Sequence, residues 1–481
     1  MRGVHDPGAR RGRAVTVVLA AALLPMLGGC LRHEVSDPAL DIPGSYRFAR
    51  GKPHAALPKL DWWRGFRSRE LTALMEEAQV ANLDIAAAVA RIVQADAQSR
   101  IAGAPLLPLV DYDGSATRSR PPGGPNSATL RSVITASYEI DFWGKNRAFL
   151  RSAEHIAAAS RYEREVVALT VLGAVASQYF LLLSSQDRLR LAQDNLSSAT
   201  RVLNVISQRL EVGTASQLDI AQQESVVATQ RAAIPVLQQV VEQNRNLLAV
   251  LIGRAPEHAS IRGGSMMALA IPRVTPGLPS ELLTQRPDIR EAEAQLASGD
   301  ANVYAARAAL LPSIQLTGQG GVISNALRTL VSPDAAFYSV ASGVTQPLFD
   351  GGRLKGLLNL EQGRREERLQ VYRQTVISAF ADVENALIAV QQSAERERRQ
   401  REVVESARRA FDLSETRLRE GTIDLVILLI TQQGLFQAQD VLAQVRFARF
   451  QAIVSLFQAL GGGWPASPQP VLRPAAIRAA G

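Results

Sequence analysis

Three short landmarks recur in this chain in the same order, about two hundred residues apart, and that repeat limits the fold more than any other feature. Ala104-Pro105-Leu106-Leu107-Pro108 returns as Ala308-Ala309-Leu310-Leu311-Pro312. Phe142-Trp143-Gly144 returns as Phe349-Asp350-Gly351, and Arg209-Leu210-Glu211-Val212-Gly213-Thr214 as Arg417-Leu418-Arg419-Glu420-Gly421-Thr422. The offset drifts only from about 204 to about 208, a loop-sized amount. The chain therefore reads as two similar halves, 62–255 and 278–463, each ordered as helix, two strands, very long helix, tight turn and long helix. A linker, 256–277, joins them, and a tail rich in proline and alanine, 464–481, is expected to be flexible.

Proline spacing permits helices of unusual length. None occurs between Pro125 and Pro235, or between Pro347 and Pro465, and proline is the residue that most reliably interrupts a helix. A continuous helix over 146–212 would be roughly 100 Å long. Leu182, Leu189, Leu196, Leu203 and Leu210 fall seven apart, with Ala192, Ala199 and Ile206 three after some of them. This is the seam of a left-handed supercoil. The seam alone would also suit a coiled-coil dimer, but four long helices per chain are enough to build a wall.

Four segments alternate with period two: 111–117, 133–142, 313–322 and 337–348. In the second, Ile134, Ala136, Tyr138 and Ile140 oppose Thr135, Ser137, Glu139 and Asp141. Each segment is about as long as a tilted membrane-spanning strand, apolar on one face and polar or small on the other. A soluble antiparallel sheet with one wet face shows the same alternation. The intervening loops, 120–129 and 325–334, are rich in Pro, Gly, Ser and Asn. Four strands cannot close a barrel, and an open sheet edge cannot face lipid, so membrane insertion demands several copies. Three copies would give twelve strands and twelve long helices; the count does not exclude two or four.

The first residues suit export. Arg2, Arg10, Arg11 and Arg13 precede an apolar run over 14–27, and Leu27-Gly28-Gly29-Cys30 follows. A basic stretch, a short apolar stretch and small residues describe a secretory leader, 1–29, too short to span a bilayer comfortably. Cys30 is the chain's one cysteine, so no disulfide forms within the chain. Leu27-Gly28-Gly29-Cys30 resembles the lipobox of bacterial lipoproteins, which implies cleavage after Gly29 and acylation of Cys30, leaving 30–61 as a lipidated N-terminal segment. An ordinary leader with a stray cysteine is the other reading. Leu31 is not acidic, which favours the outer membrane by the usual sorting rule. The surroundings of Arg10-Arg11 match a twin-arginine motif poorly.

Mean hydropathy is zero, so this is no polytopic helical membrane protein, and past the leader no uninterrupted apolar run of about 20 residues is expected. The formal charge of +8 falls to about +5 once the leader's four arginines and Asp6 are removed. Mixed runs such as Glu395-Arg396-Glu397-Arg398-Arg399 read as solvated helix faces, and no nucleic-acid partner is expected. His5, His33, His54, His155 and His258 form no close ligand pair, and no phosphate-binding GxxxxGK[ST] motif is present. The reading is of a protein without catalytic residues, metal or cofactor.

At Gly277-Leu278-Pro279-Ser280-Glu281-Leu282-Leu283-Thr284-Gln285-Arg286-Pro287-Asp288-Ile289-Arg290-Glu291-Ala292-Glu293 the chain resembles the outer membrane factor family of TolC-like export ducts, within it the NodT-type efflux lipoproteins. Trp62-Trp63, Asn82-Leu83-Asp84, Tyr138-Glu139-Ile140-Asp141-Phe142-Trp143-Gly144 and Gln346-Pro347-Leu348-Phe349-Asp350-Gly351-Gly352 also look like family landmarks. The resemblance covers about residues 30–465. It implies a mainly α fold with a small β part: a homotrimer whose twelve-stranded transmembrane β-barrel, four strands per chain, continues into a twelve-helix periplasmic α-barrel. It further implies a passive efflux channel in outer-membrane lipid, a periplasmic adaptor, and an inner-membrane pump of the resistance-nodulation-division type. A pore-free coiled-coil scaffold, or a duct for protein or polysaccharide, are the alternatives. In family members the helix turns meet the adaptor, which makes Arg209, Gly213, Thr214, Arg417, Gly421 and Thr422 candidate contacts. Asp424, with Asp219 as its counterpart in the first half, is the candidate periplasmic gate, since crowded carboxylates repel and select cations. Each is equally suited to capping a helix.

Overall fold

The computed structural model describes residues 38–49, 60–272, 274–275, 277–462 and 464. The leader, its cleavage point at Gly29, Cys30 and the tail from 465 lie outside the described residues. The first half contains α1 (Arg69–Ala81), α2 (Leu83–Gly103), β1 (Leu109–Ser119), β2 (Ser127–Ile140), α3 (Lys145–Glu211) and α4 (Gln217–Leu251). The second contains α5 (Pro287–Ala308), β3 (Ser313–Ser324), β4 (Ala336–Thr345), α6 (Arg353–Arg419) and α7 (Leu425–Ala459). α3 and α6 each have 67 residues, and α4 and α7 each have 35. These helices are about 100 Å and about 50 Å long.

The strand boundaries differ from sequence expectation by a few residues. β4 stops at Thr345, because Pro347 has no N–H to continue the ladder. β2 starts at Ser127, because Ala128 and Leu130 continue the alternation and backbone pairing persists to Ser119↔Ser127. α4 continues through Pro235; the carbonyl this frees, on Arg231, belongs to an exposed turn that water reaches.

The chain divides into two compact units. One holds Ile92–Ser160 and Glu291–Arg373. Its four strands form one antiparallel sheet in the order β1-β2-β3-β4. Beneath the strands, α5 packs its buried Ala301, Ala305 and Ala308 closely, and Ser152 Oγ lies 2.8 Å from Ser298 Oγ.

The other unit holds the described residues of Leu40–Arg91, Arg161–Arg290 and the chain from Gln374 onward. Its core is aromatic: Phe180 sits between Phe66 and Phe450 at centroid distances of 4.8 and 4.9 Å, and Trp62 stacks on Phe457 at 4.9 Å. The α3 segment 166–186 carries no charge, and α3 is long and apolar enough to cross a membrane by composition. That segment is not an uninterrupted apolar run, since Thr170, Ser177 and Gln178 fall within it. Its Val171, Val175, Tyr179 and Leu182 are instead buried in this core. The heptad is real but displaced. Ala192, Asn195, Ala199, Val202 and Ile206 are buried, whereas Leu196, Leu203 and Leu210 flank the seam half-buried. Small residues at the centre let the helices approach closely.

A buried ionic cluster ties the linker to the helices. Glu397 accepts from Arg446 (3.1 Å), Arg449 (2.8 Å) and Arg401 (2.6 Å). Arg446 also donates to the Met266 carbonyl at 3.0 Å, while Asp187 accepts from the Met266 N–H at 2.9 Å. Burial raises the Glu397 pKa, but hydrogen bonds from Arg449 and Arg401 and the charge on Arg446 outweigh it and hold the carboxyl below the ordinary range. A lowered folded pKa means that the stability gained is complete above the unfolded value and is lost as pH falls through the folded one. The unfolding midpoint of the purified protein should therefore be flat above pH 5 and drop in acid. Glu397→Gln should lower stability by about 3–5 kcal/mol at neutral pH, because it leaves buried arginines uncompensated. Phe180→Ala should cost about 3–5 kcal/mol by opening a cavity; thermal unfolding in detergent reads both.

Candidate functional site

The strand register sorts the sheet into two faces. One face carries Tyr112, Ile134, Tyr138, Leu316, Val340 and Val344, and Tyr112, Ile134, Val340 and Val344 are exposed. The other carries Asp111, Asp113, Thr135, Gln315, Thr317 and Ser339, interrupted by Val133, Ile323 and Phe337. β1 and β4 are the edges, and neither has a second strand partner within the chain.

At the corners where strands become helices, both halves use an aspartate. Asp141 accepts from the N–H groups of Asn146 and Arg147, each at 2.9 Å, and from Arg147 Nε at 3.0 Å. Burial raises its pKa, but these bonds outweigh that and hold it low. Asp350 accepts from the N–H groups of Gly352 and Leu354 at 2.9 Å, which likewise lowers its pKa. Both carboxylates sit at the positive end of a 67-residue helix. Gly144 has a φ of +76°, a turn that a side chain would strain.

The helix turns have matching backbones and different side-chain chemistry. Gly213 (φ +76°) donates to the Leu210 carbonyl, and Thr214 N–H and Oγ1 to the Arg209 carbonyl at 2.8 and 3.1 Å. Gly421 (φ +75°) and Thr422 repeat this on Leu418 and Arg417 at 3.0, 2.9 and 3.1 Å. Both are Schellman turns. Aligning them places Asp424 opposite Ser216, not opposite Asp219 as the sequence pairing had it. Ser216 and Asp219 form a reciprocal capping box on α4, Asp219 accepting from the Ser216 N–H at 2.7 Å. Asp424 occupies the N-cap of α7 but makes no side-chain cap bond, and it is exposed.

The turn arginines separate in the same way. Arg209 donates to the Leu418 carbonyl, joining the first turn to the end of α6. Arg419 pairs with Glu415 at 2.5 Å. Arg417 is exposed and has no side-chain partner among the described residues. The Arg209 contact has no sequence signal. The capping box does, in Ser216-Gln217-Leu218-Asp219.

The inter-repeat signature is a structural knot. Arg286 donates to both oxygens of Asp288 (3.0 and 2.7 Å), to Asp382 at 3.1 Å and to the Ala459 carbonyl at 3.1 Å. Burial lowers its pKa, but these carboxylates outweigh that and raise it, so it stays charged. Trp464 donates to the Gln285 carbonyl, and Asn82 caps α2 while donating to the Leu251 carbonyl at 2.7 Å. Among the described residues no group of three or more His, Cys, Asp or Glu is placed to hold a metal. Ser216→Ala should cost about 1 kcal/mol through the lost cap, seen as faster amide exchange over 216–220, whereas Asp424→Asn should leave exchange at the second turn unchanged.

A family model described as outer membrane efflux protein matches residues 74–254 and 278–462. The pyoverdine export outer membrane protein OpmQ of Pseudomonas putida is 40% identical over 436 residues, covering 88% of this chain and 92% of that protein. OpmQ of Pseudomonas aeruginosa is 38% identical, covering 95% and 98%. The solved outer-membrane channel OprN superposes with a TM-score of 0.85 at 27% identity, covering 90% of this chain and all of that one.

Proposed function

Because the chain belongs to the outer membrane efflux protein family and is the outer-membrane channel component of an efflux system, we propose that three copies close into a pore. The observation that carries this is the four-stranded sheet, apolar on one face and unpaired at both edges. In hydrocarbon an unpaired edge is not tolerated, so β1 of one copy must meet β4 of the next. Three copies supply twelve strands for the membrane and twelve long helices for a periplasmic tunnel. The apolar face meets lipid and the polar face lines water.

Acylation at Cys30 after cleavage at Gly29 would anchor each copy. The duct is passive and has no catalytic residue. Energy comes from an inner-membrane pump, of the resistance-nodulation-division type that the signature suggests, through a periplasmic adaptor. That adaptor docks at the turns around Gly213-Thr214 and Gly421-Thr422, where Arg417 is the arginine left free to pair with it. Two relatives are named for pyoverdine export, which favours pyoverdine or a compound of that kind as cargo over a protein or polysaccharide.

For the gate, Asp424 is preferred to Asp219, since the Asp219 carboxylate is already engaged in its cap. Planar-bilayer conductance tests both points. Wild type should show a discrete, mostly closed pore; Asp424→Ala should open it several-fold, and Asp219→Ala should not. A pore unchanged by Asp424→Ala would remove the gate residue and keep the duct. No pore from folded, acylated protein would favour the scaffold reading. Separately, Cys30→Ser should abolish palmitate labelling without changing unit conductance.

A further inference from the structure

The register places one cation on a face that is otherwise without charge. Of the residues that share the apolar face of the sheet, only Arg118 is charged. It lies one residue from the end of β1, opposite Ala128, at the hairpin end of the strands, away from the helices. Arg120 follows in the turn. Continuing the β2–β3 register past Leu130↔Ser324 brings residue 326 onto the same rung, about 10 Å from Arg118 across two strand spacings. There the short turn Leu327–Thr329 begins, carrying Arg328.

Two features suggest what meets these arginines. None of the Arg118, Arg120 and Arg328 side chains has a hydrogen bond or ion pair among the described residues. Three other basic residues of the sheet and its corners are partnered: Arg131 with Asp113, Lys145 with Glu139, Arg147 with Asp141. The two loops at this end, 120–126 and 325–335, contain a single acid, Asp334. Alongside the arginines, Leu327 and Val331 are 74% and 89% exposed. An unpaired cation is costly at mid-membrane and close to neutral near the interface. Arg118 follows Tyr112, Gly114 and Ala116 on that face, at the depth where hydrocarbon gives way to headgroups.

We propose that Arg118, Arg120 and Arg328, with Leu327 and Val331, form a collar that binds the phosphate groups of the phosphorylated glycolipid in the outer leaflet. The guanidinium forks take phosphate oxygens in paired hydrogen bonds, and the two apolar side chains lie against the acyl chains. Arg118 sets the choice of lipid over departing cargo, because its face is the one turned to lipid. This inference rests on the reading that the sheet spans the outer membrane.

The test is native mass spectrometry of the acylated protein titrated with diphosphoryl lipid A, with dephosphorylated lipid A, and with inorganic phosphate as competitor. Wild type should bind the diphosphoryl form about tenfold more tightly than the dephosphorylated form. The double variant Arg118→Ala/Arg328→Ala should lose about that factor, and Arg118→Lys should keep most of it. Equal binding of the two lipids, or no loss in the double variant, would overturn the collar. So would displacement of the lipid by millimolar phosphate, which would mark a free-anion site. Bilayer conductance of the same samples separates the two ideas: a normal pore with no phosphate preference refutes the collar alone, whereas absence of a pore in wild type refutes the duct.

Discussion

A backbone N–H or carbonyl facing hydrocarbon without a partner costs several kcal/mol, and β1 and β4 each present a row of them. Much else in the chain follows from that. A four-stranded sheet with an apolar face cannot be stable alone in lipid, so the fold is incomplete until copies meet edge to edge. The strands are correspondingly plain, ten to fourteen residues with simple alternation and short loops. Their stability has to come from closure and from the corners, where Asp141 and Asp350 fix the entry into α3 and α6.

The second unit solves a different problem, holding very long helices in register without a compact globular centre along most of their length. It concentrates its large side chains where Phe66, Phe180 and Phe450 meet. It then pins the connecting segments to that centre by polar contacts. Met266 is gripped at both its N–H and its carbonyl, Arg286 joins the start of α5 to the end of α7, and Asn82 joins α2 to the end of α4. The residues of the inter-repeat signature thus do mechanical work, fixing how the second half starts against where both halves end.

Much of this was legible in the sequence. The repeat, the long helices, the four strands and the glycine turns all leave local signals: spacing, missing prolines, period-two alternation, and a Gly-Thr pair after a basic last turn. What was illegible depended on distance. Nothing local in Arg209 says that its guanidinium will reach Leu418, and nothing in Glu397 separates it from the solvated charges around it in Glu395-Arg396-Glu397-Arg398-Arg399. Of the heptad leucines only Leu182 is fully buried, whereas Ala192, Ala199 and Ile206, three positions after leucines, hold the centre of the seam, where close packing selects smaller side chains. Asp219 and Asp424 looked equivalent because both are acids just past a glycine turn. Counting from the glycines shows that they differ by a turn of helix.

Duplication left two hairpin turns with nearly superimposable backbones, yet only one ends in an uncommitted carboxylate. In a ring of three copies the six turns would fall into two alternating sets, three whose carboxylate, Asp219, is held in a cap and three whose carboxylate, Asp424, is not. A partner built with sixfold regularity would find the same shape at every position and an uncommitted carboxylate at every second one. A change at residue 424 would then alter three positions of such a ring without disturbing the backbone contour that all six turns share.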